Sequence, residues 1–147
     1  MRLQTLTLAA AVAAAIAGGV VLVDALVTTD EERLERFVET VTSPVNAATL
    51  REGLAWVDPA VQPLEVEARG MGRLYDARNA ESLEPDARRG LEPYMGDHPR
   101  ALRESIQVEG DRGTVDLQLL TGRGMVEARF RFRRRGERWL LEKAEIR

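Results

Sequence analysis

The sequence predicts an α+β fold in which helices pack on one face of a curved antiparallel sheet. Between residues 30 and 95, apolar residues recur mostly at helical spacing. From residue 101 onward they alternate with polar residues, and Gly-containing turns separate the alternating stretches. Helices that precede a run of hairpin-connected strands are typical of the α+β class. An apolar segment, expected to form an N-terminal helix, stands before this domain.

The N-terminal segment predicts where the protein resides. Leu6–Val27 carries one charged residue, Asp24. A membrane-spanning helix needs roughly 20 apolar residues, because a rise of about 1.5 Å per residue must cover about 30 Å of hydrocarbon. We therefore expect residues 1–27 to form a transmembrane anchor and residues 28–147 to form one domain. The alternative is a cleaved secretory signal, for which Ala15-Ile16-Ala17 supplies a small-x-small cleavage site.

The charges that flank this segment predict its orientation. Arg2 and the N-terminal amine are the positive groups before it, and Asp30-Glu31-Glu32 follows shortly after it. Positive flanks stay on the cytoplasmic side of a membrane. We therefore expect a cytoplasmic N-terminus and an extracytoplasmic domain. A cleaved protein would instead be secreted or periplasmic.

The composition excludes several kinds of site. The chain has no cysteine, so neither a disulfide nor a lipid attached to a thiol is expected. A single histidine and scattered carboxylates give no spacing for a transition-metal site. The net charge of −3, with both signs interspersed, argues against nucleic acid as a partner. No cofactor-binding motif is recognised, and we expect no cofactor.

Helix-start and helix-stop residues divide the first part of the domain. Thr29 and Glu32 have the spacing of a capping box. Ser43-Pro44, Asp58-Pro59 and Gly96 each follow a stretch of apolar residues at helical spacing. Two to three helices are therefore predicted, at about residues 30–42, 47–57 and 85–95.

Strands account for most of the remaining chain. Leu64–Ala68 alternates between apolar and polar residues, and Gly70 and Gly72 are expected to end this strand. In the last strand, Trp139 and Leu141 should share one face, and Leu140, Ala144 and Ile146 the other. Four strands joined by tight turns predict an antiparallel meander, at about residues 101–109, 114–121, 125–134 and 138–146.

This order of elements resembles the nuclear transport factor 2-like superfamily, a cone-shaped α+β roll. The stretch Ala128–Ile146 carries the resemblance, because a strand of alternating basic and apolar residues leads through a short turn to a strand that begins with Trp139. The resemblance covers about residues 30–147. It implies a hollow cone lined by the concave face of the sheet. The superfamily includes isomerases, dehydratases, polyketide cyclases and transport factors, and none of its catalytic dyads matches a numbered position here.

Four residues are candidates for acid–base chemistry. Tyr75 and Tyr94 have phenols that would act if they faced the interior of a cone, and Asp97 precedes the only histidine, His98. The alternative interpretation is structural: tyrosines often pack against a core, and a Gly-Asp-His-Pro run is ordinary loop sequence.

A row of arginines is the strongest local charge feature. Arg129, Arg131 and Arg133 alternate along one predicted strand. They are candidates for binding an anion or an acidic partner. The alternative is a solvated strand face whose charges are balanced by acidic residues on neighbouring strands.

Three functions remain open from the sequence. The first is an anchored or exported non-enzymatic domain that binds a ligand or protein partner outside the cytoplasm. The second is a small cone-pocket enzyme of isomerase or hydratase type. The third is a structural or assembly module that acts as a homodimer.

Overall fold

A computed structural model describes residues 29–147. The expected N-terminal helix and anchor at residues 1–27 lie outside the described residues. The described chain has three α-helices: α1 (Asp30–Val41), α2 (Ala47–Leu54) and α3 (Leu83–Leu91), with 3₁₀ turns at Ala80–Ser82 and Glu92–Tyr94. Its strands are β1 (Leu64–Ala68), β2 (Met71–Tyr75), β3 (Arg100–Glu109), β4 (Arg112–Thr121), β5 (Gly124–Arg135) and β6 (Arg138–Ile146).

The strands form one sheet in the order β2-β1-β6-β5-β4-β3. The predicted meander is β3 to β6, in which each strand pairs antiparallel with the next. β1 joins the sheet by pairing parallel to β6, and β2 pairs antiparallel to β1. Within residues 29–147, no helix has the length and apolar character needed to cross a membrane.

The start of α1 has the predicted capping box. The backbone N–H of Glu32 donates to Thr29 Oγ1 at 3.2 Å, and the backbone N–H of Thr29 donates to Glu32 Oε2 at 2.7 Å. These bonds satisfy backbone donors that have no partner within the helix. The helix then turns Leu34, Phe37 and Val38 toward the sheet, where all three are buried.

Aromatic rings join α1 to the sheet. The ring centroid of Phe37 lies 4.8 Å from those of Phe130 and Phe132 on β5, and 5.5 Å from that of Trp56 after α2. All three contacts are edge-to-face, the geometry that aromatic quadrupoles favour. The space between the helices and β5 is therefore occupied by packed rings.

Asp30, in the first turn of α1, bonds to residues that flank the β5–β6 turn. Its Oδ1 accepts a hydrogen bond from Trp139 Nε1 at 3.0 Å, and its Oδ2 pairs with Arg134 Nη1 at 2.9 Å. Arg33 Nη1 adds a bond to the carbonyl of Glu137 at 3.0 Å. The beginning of the domain is thereby fixed against the β5–β6 turn.

One strand was missed because two glycines were interpreted as the end of β1. Arg69 and Gly70 have φ values of 52° and 78°, and Ala68 pairs with Met71 across them. Two successive residues with positive φ form the tight turn that favours a hairpin. Gly72 lies within β2, so the glycines continue the sheet rather than ending it.

The prediction for the two faces of β6 was partly wrong because of a β-bulge. Phe132 pairs with Leu141, but Arg131 pairs with Lys143, so β6 has one extra residue at this point. The extra residue reverses the alternation. Ala144 therefore belongs to the same core cluster as Trp139 and Leu141, while Leu140 lies outside that cluster.

Gly113 provides a test of how closely α1 approaches β4. A Cβ atom at Gly113 would lie 2.7 Å from Leu34 Cδ1 and 3.4 Å from Trp139 Cζ3, and Leu34 is fully buried. We expect Gly113→Ala to lower the free energy of unfolding by about 1–3 kcal/mol, measured by chemical denaturation, because the added methyl overpacks the core.

The matched control is Gly72→Ala, since a Cβ at Gly72 has nothing within 4 Å. It should change the stability by no more than about 0.5 kcal/mol. Equal effects of the two substitutions would contradict the close packing of α1 on β4.

Candidate functional site

The face of β3–β6 that points away from the helices presents polar side chains in rows that cross the strands. We call it the outer face. One row contains Arg103, Gln118 and Glu127, which are register partners on three successive strands. The next row contains Ser105, Asp116, Arg129 and Glu145. The rows lie beside each other because side chains on one face of a strand repeat every second residue.

The two rows border a groove of about 320 Å³. Its floor is formed where Leu117 and Ala128 turn their side chains into the core, and its walls are polar. Its lining residues are Arg103, Ser105, Asp116, Leu117, Gln118, Glu127, Ala128, Arg129, Glu145 and Arg147.

Arg129 and Arg131 have acidic partners across the strands. Arg129 Nε pairs with Asp116 Oδ1 at 2.6 Å, and this hydrogen bond raises the pKa of the Arg129 guanidinium above its usual value. Arg131 Nη2 lies 3.5 Å from Glu145 Oε2, which also faces Lys143. Within the groove, the charge of Arg129 is thus largely compensated by Asp116.

Arg133 lies beyond the groove and joins two acidic residues. Its Nε is 3.0 Å from Glu142 Oε2 and its Nη1 is 3.2 Å from Asp111 Oδ2. The hydrogen bond from Arg133 lowers the pKa of Asp111, which is on the β3–β4 turn. Each arginine of the predicted row is therefore paired within the sheet.

Three other charged side chains of the groove have no such partner. Arg103, Glu127 and Arg147 form no ion pair with any residue in the described range 29–147. Arg147 is held beside Glu127 by two backbone hydrogen bonds, of 2.8 and 3.0 Å. Since these groups are exposed and uncompensated, a ligand can approach them without breaking an existing pair.

Tyr75 is buried at the end of β2, where it contacts α3. Its hydroxyl donates to Asp86 Oδ2 at 2.9 Å, and Arg73 Nη1 lies 2.8 Å from the same oxygen. Burial, followed by the hydrogen bond to Asp86, raises the pKa of the Tyr75 phenol. The phenol is thus a donor within a hydrogen-bonded contact between β2 and α3.

The other three acid–base candidates lie around the β4–β5 turn. The Tyr94 ring is 5.8 Å from the Arg123 guanidinium carbon. The Asp97 carboxylate accepts hydrogen bonds from the backbone N–H of His98 at 2.8 Å and of Gly122 at 2.7 Å. The His98 side chain is exposed. Asp97 therefore stabilises the β4–β5 turn. Tyr75 does not lie with Tyr94, Asp97 and His98, because it is part of the contact between β2 and α3.

Comparison with solved structures identifies the fold. One similar structure is a protein of unknown function with a cystatin-like fold from Nostoc punctiforme, at 14% identity and a TM-score of 0.59, covering 80% of this chain and 91% of that one. Another is a candidate ketosteroid isomerase from Parabacteroides distasonis, at 11% identity and a TM-score of 0.59, covering 80% and 86%. A third is a nuclear transport factor 2-like protein of unknown function from Cytophaga hutchinsonii, at 7% identity and a TM-score of 0.51, covering 82% and 90%.

The chain has a nuclear transport factor 2-like fold. No protein-family model matches the sequence, and no curated protein is detectably similar to it. Identities of this size support the fold alone, and a shared fold does not establish a shared functional site.

In this nuclear transport factor 2-like fold, the positions that face the helices are apolar. Leu117 and Leu119 on β4, and Phe130 and Phe132 on β5, are buried in the core cluster. Among the described residues, no charged side chain is buried, and the buried side chains with a polar group are those of Tyr75 and Trp139, which both donate hydrogen bonds. In the same part of the chain, no three His, Asp or Glu side chains are grouped so that they would hold a metal ion.

The sequence predicts which face of each strand is polar, but it does not predict which polar residues lie beside one another in the groove. Alternation along each strand places Asp116, Gln118 and Arg129 on the polar face. The pairing of Asp116 with Arg129 depends on the register of the β4–β5 hairpin, which the tight turn at residues 122–123 would have supplied. Alternation with Ile106 and Val108 places Arg103 on this face as well, but its position beside Gln118 requires the register between β3 and β4.

The contact of Tyr75 with Asp86 predicts a loss of stability in alkali. Because the folded state raises the pKa of this phenol above 10.0, its contribution is complete below about pH 10 and is lost as the pH rises through the folded-state value. Tyr75→Phe should cost about 0.5–1.5 kcal/mol at pH 7, since it removes one hydrogen bond. It should also weaken the alkaline loss, measured by denaturation at pH 7 and pH 11.

Tyr94→Phe serves as the control, because no hydrogen bond of the Tyr94 hydroxyl is present in the described structure. It should retain the alkaline loss of the native protein. If Tyr75→Phe and the native protein lose the same free energy between the two pH values, Tyr75 does not carry this dependence.

Proposed function

We propose that this chain is a membrane-anchored, non-enzymatic binding module of nuclear transport factor 2-like fold, with its domain outside the cytoplasm. The proposal combines the apolar segment Leu6–Val27 with a domain that binds its ligand or partner on the outer face of the sheet. The observation that carries it is the aromatic packing of Phe37 against β5, because packed rings occupy the space between α1 and the sheet and leave the polar groups on the outer face.

The placement of the domain beside a membrane rests on the sequence. The apolar segment is about as long as a membrane-spanning helix requires. Thr28 alone separates Val27 from Thr29, the residue that caps α1. Since Asp30 is bonded to Trp139 and Arg134, an anchor that ends at Val27 would hold the β5–β6 turn close to the bilayer.

The polar candidates support binding over catalysis. A general acid or base must reach the reacting atoms of a substrate. The Tyr75 hydroxyl is bonded to Asp86, and the Asp97 carboxylate is bonded to two backbone N–H groups. Neither group is free to enter a pocket with the other, and His98 is exposed.

The groove supports a ligand that carries charges of both signs. Arg103 and Arg147 offer guanidinium groups, and Glu127 offers a carboxylate between them. A ligand or protein segment with an anionic and a cationic group can pair with both. Such pairs give specificity in exposed sites, although each contributes only about 0.2–1 kcal/mol.

Cell fractionation with a C-terminal tag tests the proposed location. We expect a full-length product in the membrane fraction that protease degrades when it is added outside intact cells or spheroplasts. Ile16→Arg together with Val20→Arg should release the protein from the membrane, because each charge at mid-bilayer costs about 2.5–3.5 kcal/mol. Ile16→Leu with Val20→Leu is the matched control and should remain in the membrane.

A shortened soluble product would contradict the anchor and favour a cleaved signal. A full-length membrane product that protease reaches only after lysis would contradict the orientation. Both outcomes leave the fold unaffected and change only the proposed location.

A fragment screen by NMR on the isotopically labelled full chain tests the groove. We expect fragments with both charges to shift the backbone amides of Arg103, Gln118 and Glu127. Arg103→Gln should weaken their binding by about threefold to fivefold, which corresponds to the loss of one exposed ion pair. Arg51→Gln, an exposed change on α2, should leave the binding unchanged.

The same screen distinguishes the enzymatic alternative. Apolar ring compounds that shift the resonances of Phe37 and Leu119, while the groove stays unaffected, would show that the interior admits ligands. That result would overturn the proposal in favour of a cone-pocket function.

A further inference from the structure

β3 is an edge strand whose outer edge is open. It is ten residues long and pairs with β4 on one side only. Within the described residues, no backbone hydrogen bond reaches β3 from any other segment. Such an edge is a template for another strand, and natural proteins usually cover or interrupt it. The irregularity between Ala101 and Arg103 affects only its beginning.

The regular part of β3 has two distinct faces. The outer face of this part carries Arg103 and, after it, Ser105, Gln107 and Glu109. The last three lie opposite Asp116, Thr114 and Arg112 of β4, respectively. Ile106 and Val108 are on the helix face and are partly buried against the core. A strand that pairs with β3 would cover the exposed parts of these two apolar side chains.

We propose that β3 pairs antiparallel with β3 of a second copy of this chain, about a two-fold axis that passes between the two Ile106 residues. The two sheets then form one continuous sheet with the helices of both copies on the same side. This pairing rests on the binding function proposed above for the outer face, because residues of the second copy would form part of the groove.

Charge determines the register. With Ile106 opposite Ile106, Arg103 of each copy lies opposite Glu109 of the other, and Ser105 lies opposite Gln107. Arg103 and Glu109 form no ion pair with any residue of the described chain, so both are available. Because the axis is two-fold, the favourable pair occurs twice.

Neighbouring registers lack this complementarity. An axis through Ser105 places Arg103 opposite Gln107 and Glu109 opposite Ala101, so neither charge gains a partner. An axis through Gln107 places Glu109 opposite Ser105 and leaves Arg103 beyond the paired segment. The register centred on Ile106 therefore combines an apolar centre with two ion pairs.

The pairing completes the groove. Arg103 and Ser105 form its β3 wall. In the proposed register, Glu109 and Gln107 of the second copy stand beside them and extend this wall with a carboxylate and an amide. Each copy thereby contributes residues to the groove of the other.

The symmetry is also compatible with an anchor. Two copies in one bilayer are related by an axis along the bilayer normal. When the axis is also perpendicular to the sheet, the sheet lies parallel to the bilayer. Because the anchor precedes α1 in the chain, the helix layer is the side that faces the bilayer. The two grooves face away from it, where a ligand or partner can reach them.

Disulfide cross-linking in membranes tests the register, because the native chain has no cysteine. Full-length Ser105→Cys and Gln107→Cys chains are produced singly and together, then oxidised with copper phenanthroline. Opposite residues in antiparallel strands have Cα atoms about 4.5–5.5 Å apart, within the span of a disulfide. We expect a cross-linked dimer only when the two variants are mixed. A dimer from Ser105→Cys alone or from Gln107→Cys alone would overturn the proposed register.

Charge reversal tests the ion pairs by sedimentation equilibrium of the full chain in detergent. Arg103→Glu should weaken dimerisation by about tenfold, since like charges then face each other twice. Arg103→Glu combined with Glu109→Arg should restore it to within about threefold. An exposed control, Arg51→Glu, should have no effect.

Two results separate this proposal from the function on which it rests. A monomeric native chain that gives no cross-link in any mixture overturns the pairing and leaves the anchor and groove unaffected. Specific cross-linking of a chain that is soluble in cells supports the pairing while contradicting the proposed location.

Discussion

The packing of Phe37 against β5 is the interaction on which the rest of the structure depends. Its ring contacts Phe130, Phe132 and Trp56 edge-to-face, so one side chain joins α1, the segment after α2 and the centre of the sheet. Burying a phenylalanine stabilises a fold by about 1.5–3 kcal/mol, and each aromatic pair adds about 0.5–1.5 kcal/mol. Because α1 covers one face of the meander, polar side chains are confined to the other. The location of the groove thus follows from the location of the aromatic rings.

The electrostatic arrangement of the outer face follows from the same division. Polar side chains that cannot enter the core lie beside one another on this face, and several of its arginines pair with acidic residues. Arg129 with Asp116, and Arg133 with Glu142, illustrate this pairing. It gives little stability, since exposed pairs contribute about 0.2–1 kcal/mol. Its consequence is to leave Arg103, Glu127 and Arg147 as the uncompensated charges around the groove. An arginine-rich strand is therefore a less informative sign of a binding site than the few charges that lack a partner.

Patterns among residues close in sequence predicted the helices and most of the strands, but not the β1–β2 hairpin, the bulge in β6 or the sheet register. The capping box at Thr29 and the alternation along β5 each depend on residues close in sequence, and both could be predicted. The β1–β2 hairpin could not, because Gly70 has the same local preference whether a strand ends or turns back. The bulge in β6 also escaped prediction, because an extra residue becomes visible only when Leu141 and Lys143 are matched to their partners on β5. The groove crosses four strands and therefore required the register, which alternation alone does not supply.

The central claim is that the interior of the domain is filled by packed side chains and that recognition takes place outside it. The most direct measurement is methyl NMR of the full chain under xenon pressure, since xenon enters apolar cavities that are large enough to hold it. We predict no saturable xenon shift at the methyl groups of Val115 and Leu119 in the native protein. Phe37→Ala should create such a shift by opening a cavity between α1 and β5. A saturable shift at these methyl groups in the native protein would contradict the claim, because it would show an accessible apolar cavity inside the cone.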